Sequence, residues 1–116
     1  EPDTAEQQFA PVSLAAVDPA GELVAFLRLD GAPYSSVDIA RAKARTAARM
    51  RRPTRGLDST LTAGRLPILS LEGITAVEGG VPIVVNGEVV GAVGTSGVTS
   101  AQDGVVSAAG AAAVKP

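Results

Sequence analysis

The dipeptide Asn86-Gly87 constrains the fold of this chain more than any other local feature. It separates two apolar runs, residues 81–85 and 88–93. A type I′ turn needs positive φ angles at both central residues, and Asn-Gly adopts them at low conformational cost. The segment therefore predicts a two-residue β-hairpin, with Pro82 at the start or the edge of its first strand because proline has no N–H to donate.

A second hairpin is predicted near the start of the chain. The apolar run 12–17 is followed by Asp18-Pro19-Ala20-Gly21 and then by a second apolar run, 22–29. Proline at the second position and glycine at the fourth are typical of a type I turn. A connection this short joins neighbouring antiparallel strands.

Two helices are predicted, one after each hairpin. The first covers residues 36–50, starts at a capping-box-like Ser35-x-x-Asp38 and is ended by Pro53. Residues 94–99 are predicted as a loop. The second helix covers residues 101–113 and starts at a second capping box, Ser100-x-x-Asp103.

These elements predict a single α+β domain over residues 1–116, in which helices lie on an antiparallel sheet. Residues 1–10 are expected to be a remnant of a first helix or disordered. Residues 53–80 are expected to be irregular, with a helical turn or a mobile loop over 57–65, because glycine and proline punctuate them.

Composition excludes several kinds of chemistry. The chain has no Cys and no His, so thiolate nucleophiles, disulfides, a Ser-His-Asp triad and His-ligated metals are absent. We therefore predict no metal site. The net charge of −2 gives no general attraction to nucleic acid, and no run is apolar enough to predict a membrane-spanning helix.

Three segments carry a resemblance to a known family. They are VSLAAVDPAGELVAFLRLDGA, DIARAKARTA and GGVPIVVNGEVVGAVGTSGVTSAQDGVVSAAG. In this order they resemble the GlcG-like family of haem-binding and haem-degrading proteins, which includes the C-terminal domain of PduO-type cobalamin adenosyltransferases. The resemblance covers about residues 12–113.

The resemblance implies a profilin-like α/β/α arrangement around a central antiparallel sheet of four to five strands. It also implies homo-oligomers, from dimers to octamers, and haem or another tetrapyrrole as a candidate ligand. This chain departs from the family in two ways. Residues 1–10 are expected to hold only a remnant of the usual first helix, and the chain has no His to ligate haem iron.

The start of the last helix is the first candidate binding region. Backbone N–H groups at a helix start favour an anion, and Ser96, Gly97 and Ser100 would add hydroxyls and close backbone approach. The alternative is a capped helix after a glycine-rich turn. Asp103, next to Gln102, is either the capping acid or a pocket carboxylate that acts as a general acid or base.

The predicted first helix and the turn before it contribute the other candidates. Lys43 lies on the apolar face of that helix and either extends to solvent or points into a pocket. Tyr34 could line a pocket, ligate haem iron or be an exposed loop aromatic. Asp30 and Ser35 flank the same turn and are expected to bind ligand.

Seven of the ten basic residues fall between Arg41 and Arg55. Arg41, Arg45, Arg49 and Arg52 would share one helix face, but no aromatic residues are interleaved with them. A solvated face or a subunit interface is therefore favoured over nucleic-acid binding.

Together these features predict a small-molecule-binding domain of the GlcG-like family, and the resemblance implies haem or another tetrapyrrole as the candidate ligand. One alternative is a cofactor-independent isomerase, lyase or cyclase that acts on a small organic acid or biosynthetic intermediate through Asp103, Lys43 and Tyr34. Another is a structural oligomer with no ligand. A cytoplasmic location is expected, with secretion as the alternative.

Overall fold

The computed structural model describes residues 11–97 and 99–114. The expectation for residues 1–10 concerns a segment outside these ranges. Within these ranges, four strands and three α-helices follow in chain order: β1 (Ser13–Val17), β2 (Leu23–Arg28), α1 (Ser35–Met50), α2 (Thr54–Thr62), β3 (Gly80–Val85), β4 (Glu88–Ser96) and α3 (Ser100–Ala112). A 3₁₀ helix, Leu66–Ser70, lies between α2 and β3.

The four strands form one antiparallel sheet in the order β2-β1-β4-β3. Both predicted hairpins are confirmed. Asn86 and Gly87 have φ angles of 53° and 81°, as the predicted turn requires. In the first hairpin the Asp18 carboxylate accepts the backbone N–H groups of Ala20 and Glu22, each at 2.9 Å.

The two long helices cover opposite faces of the sheet, which confirms the α+β layered fold. On one face, Ala15 and Val17 of β1 pack against alanines of α1 such as Ala40 and Ala44. On the other, Val93 of β4 packs against α3. Adjacent residues of a strand point to opposite faces, so neighbours along β1 and β4 serve different layers.

The core is built from small side chains, so helix and sheet approach closely. A Cβ added at Gly94 of β4 would overlap the backbone carbonyl oxygen of Ala40 on α1. Alanines at 40, 44, 47 and 48 are fully buried in this contact. This packing explains how a chain with three aromatic residues forms a core.

The structure departs from the predicted elements in three places. A loop was expected from residue 94 onward, but strand β4 extends to Ser96 because its last residues pair with β1. Helix α1 has no side-chain cap, since Tyr34 already has helical angles in the turn that begins at Pro33. Part of the segment expected to be irregular forms α2, a nine-residue helix that follows Pro53.

The capping box of α3 lies one residue earlier than predicted. The Thr99 hydroxyl accepts the Gln102 backbone N–H at 3.2 Å, and the Gln102 side chain accepts the Thr99 backbone N–H at 3.4 Å. The prediction of Asp103 as the capping acid is therefore wrong. Its carboxylate instead lies under the helix, facing α1.

Candidate functional site

The most buried charges in the described ranges are a pair between the two long helices. Lys43 Nζ of α1 lies 3.1 Å from Asp103 Oδ2 of α3, and the two side chains are 2% and 3% exposed. The Lys43 ammonium also donates to the backbone carbonyl of Thr95 on β4, at 3.0 Å. One cation therefore links both helices to a central strand.

The absence of a side chain at Gly79, just before β3, leaves room for the Lys43 ammonium. It has a φ angle of 139°, and a Cβ added there would lie 2.7 Å from Lys43 Nζ and 2.9 Å from the Thr95 carbonyl oxygen. A side chain at 79 would therefore displace the ammonium or strain the backbone.

Hydroxyl groups continue the polar layer beside the pair. The Thr95 and Ser107 hydroxyls lie 2.7 Å apart, and Ser107 Oγ donates to the Gly79 carbonyl at 2.7 Å. The Gly79 carbonyl also accepts the Thr95 backbone N–H at 3.1 Å. Each of these polar groups is buried and hydrogen-bonded, so the layer fixes α3, β4 and the segment before β3 relative to one another.

The structure brings together two of the three residues considered for acid–base chemistry. Tyr34 does not join Lys43 and Asp103. It is 85% exposed and precedes Lys43 by nine residues, about 13 Å along a helix axis. The Arg28 guanidinium lies 5.5 Å from the centre of its ring, in cation–π geometry.

The remaining predicted site residues are dispersed. Ser96 is buried at the end of β4, opposite Ser13 of β1, and Gly97 packs where a Cβ would overlap the Pro11 carbonyl. Ser100 begins α3 and Gln102 caps it. Asp30 and Ser35 are exposed and do not line the nearby open depression of about 410 Å³, whose lining residues are Arg28, Gly31, Ala32, Pro33 and Tyr34.

A groove beside the buried pair was missed by sequence reasoning. It has a volume of about 280 Å³ and runs between one face of α3 and the segment that leads into β3. Its walls consist mostly of small or apolar residues: Pro53, Gly79, Gly80, Val81, Ala101, Gly104, Val105 and Ala108. Arg55 and Glu78 are its two charged residues.

The ion pair connects the two elements that form the walls of this groove. Gly79 forms one wall and packs on Lys43, whereas Asp103 precedes Gly104 of the other wall. The groove lies beside the first turns of α3, where a ligand was expected, but Ser96, Gly97, Ser100 and Gln102 do not line it. The small or apolar residues of α3 at positions 101, 104, 105 and 108 are spaced for one helix face, which was the available sequence signal.

Two absences hold within the described residues. No helix there combines the length and hydrophobicity needed to cross a bilayer. No three acidic side chains there cluster as a metal site would require.

Sequence comparison places these features in a known family. The model of the HbpS-like family, described as haem degrading protein HbpS-like, matches residues 3–112. Protein GlcG of Escherichia coli K12 is 42% identical over 85 residues, which are 73% of this chain and 63% of GlcG. The matched segment thus spans less than two thirds of that relative.

Solved structures share the fold. Streptomyces reticuli HbpS, in a double-mutant form, superposes with a TM-score of 0.85 and 33% identity, covering 95% of this chain and 75% of HbpS. The complex of PduOC with haem superposes with a TM-score of 0.83 and 27% identity, covering 95% and 83% of the two chains.

The layered fold is a small α/β/α domain of the type seen in these structures. The chain belongs to the HbpS-like family, as its sequence resemblance implied.

Proposed function

We propose that this domain binds a flat, largely apolar small molecule that carries a carboxylate, and that the ligand is haem or another tetrapyrrole. The observation that carries the proposal is the lining of the groove between α3 and β3. Glycine has no side chain and alanine carries only a methyl group, so these residues form a wall that the face of a planar ring can approach closely. Arg55 lies at the same groove and would pair with a propionate carboxylate.

In this proposal the buried ion pair positions the two walls of the groove. Lys43 packs under Gly79 of one wall, and Asp103 holds α3, which forms the other. Because the pair is closed to solvent, a ligand in the groove would not contact it. The pair would affect binding by setting the distance between the two walls. Acid–base catalysis would need a substrate to reach atoms that are 2–3% exposed, so we propose binding rather than catalysis.

The residues fit the macrocycle better than they fit the iron. The groove offers apolar wall and one cation, and the chain has no imidazole or thiolate to ligate a metal. The Glu78 carboxylate is the one anionic side chain that lines the groove. Haem, when bound, supplies the iron centre. The chain supplies the apolar groove wall and the positive charge of Arg55, which would pair with a propionate. The relationship to HbpS and to the haem complex of PduOC supports this ligand class.

The test is a haemin titration followed in the Soret region, with two leucine variants of α3. Ala108→Leu puts a branched side chain into the groove, whereas Ala109→Leu makes the same change at an exposed position that does not line it. We expect haemin affinity to fall about tenfold or more in Ala108→Leu, a cost of about 1.4 kcal/mol, and to stay unchanged in Ala109→Leu.

Two results would contradict the proposal. One is equal haemin affinity in both variants while both keep the wild-type melting temperature. The other is a low-spin spectrum of the bis-imidazole type, because such a spectrum would have to come from ligands outside this chain.

A further inference from the structure

A second cavity in the described part of the chain lies away from the groove. It is an open cleft of about 530 Å³ between α1, the β1–β2 turn and the segment at 73–75. Arg41 and Arg45, one helical turn apart on α1, both line it. Neither arginine forms an ion pair with any described residue.

The next arginine on the same face has a different role. Arg49 donates from Nε to the Ala20 carbonyl at 2.7 Å, and its Nη2 lies 4.0 Å from the Glu22 carboxylate. Arg49 therefore holds the β1–β2 turn against α1. Glu22 also lines the cleft and contributes a carboxylate to it.

The turn also fixes the stem of Arg45. A Cβ added at Gly21 would lie 2.8 Å from Arg45 Cγ, so the turn backbone packs directly on this side chain. A stem held in this way has fewer conformations to lose when its guanidinium binds a ligand. Guanidinium groups bind carboxylate and phosphate oxygens in bidentate geometry.

We propose that this cleft binds a small dianion, a dicarboxylate or a phosphate, between Arg41 and Arg45. Asp38, in the first turn of α1, also lines the cleft and faces the ligand as a like charge. Its carboxylate and that of Glu22 therefore limit the affinity for an anion. The site is separate from the groove and does not depend on tetrapyrrole binding.

The experiment is a titration of the whole chain with malonate and with inorganic phosphate, read from backbone amide shifts, with sodium chloride as the control for ionic strength. Arg45→Gln keeps the Cγ that packs on Gly21 but removes the guanidinium, and we expect it to weaken binding about tenfold. Asp38→Asn removes the like charge, and we expect it to strengthen binding. Arg55→Gln, in the groove, should leave dianion affinity unchanged.

Tighter binding of malonate or of phosphate assigns the ligand to the dicarboxylate or the phosphate class, and either supports the site. The proposal fails if chloride shifts the same amides at equal ionic strength, or if Arg45→Gln binds both dianions as wild type does. Loss of haemin binding in Arg55→Gln with dianion binding intact would separate this site from the proposed groove.

Discussion

Lys43 and Asp103 are 60 residues apart in the chain, yet their charged atoms lie 3.1 Å from each other in the interior. Removing one member of a buried pair leaves the other charge without its counter-ion, and such changes cost about 3–5 kcal/mol. We expect Lys43→Met and Asp103→Asn each to destabilise the domain on this scale, as measured by urea denaturation.

The double variant Lys43→Met with Asp103→Leu provides the matched control. With both charges gone, no buried ion remains uncompensated, so the double variant should be more stable than the sum of two single losses predicts. Strict additivity, or a loss below about 1 kcal/mol for Asp103→Asn, would show that the pair is not a structural link.

The capping box of α3 gives a separate prediction at Thr99. Thr99→Ala removes the hydroxyl that accepts the Gln102 N–H, and the expected loss is about 1 kcal/mol in the free energy of unfolding. Thr99→Ser keeps an equivalent acceptor and should stay close to wild type. A larger loss in Thr99→Ser than in Thr99→Ala would rule out this cap.

Alanine variants at Gly79 and Gly64 distinguish the destabilisation caused by steric overlap from that caused by backbone strain. Both have positive φ angles, 139° and 108°, but a Cβ at 79 would meet Lys43 and Thr95, whereas nothing lies within 4 Å of a Cβ at 64. Gly64→Ala should show backbone strain alone, about 1 kcal/mol, and Gly79→Ala should cost clearly more. Equal melting temperatures for the two variants would contradict the packing of Lys43 on Gly79.

We also predict that the chain self-associates, as its family resemblance implies. Large apolar side chains are exposed on β2 and α3, among them Val24, Leu27 and Val105. Light scattering at micromolar concentration should give a multiple of the 11.6 kDa chain mass. A monomer mass across the concentration range would show this prediction to be wrong.

The sequence predicted the elements whose signals are local. Asn86-Gly87 specifies its hairpin without help from distant residues, and the first hairpin is closed by the Asp18 carboxylate within its own turn. Family membership was likewise identified from ordered motifs and is confirmed by the family match. Element ends were less predictable. The end of β4, for example, depends on its pairing with β1, a strand near the other end of the chain.

The candidate site was predicted in part. Lys43 and Asp103 were each selected for position on a helix, but their pairing depends on packing across 60 residues of sequence. The groove itself was missed because glycine and alanine carry no chemical signal. Its two charged residues, Arg55 and Glu78, lie in the segment expected to be irregular. The roles proposed for Tyr34, Asp30 and Ser35 remain predictions.

The most direct test of tetrapyrrole binding in the groove is the position of bound haem, measured by amide NMR. Ferric haemin broadens nearby signals, and zinc protoporphyrin provides the diamagnetic control. We predict selective broadening at Gly79, Gly80, Gly104 and Ala108 with haemin, and shifts of the same signals with the zinc compound. Broadening centred on Arg28 and Tyr34 instead, or no selective broadening at stoichiometric haemin, would contradict the assignment of the groove as the binding site.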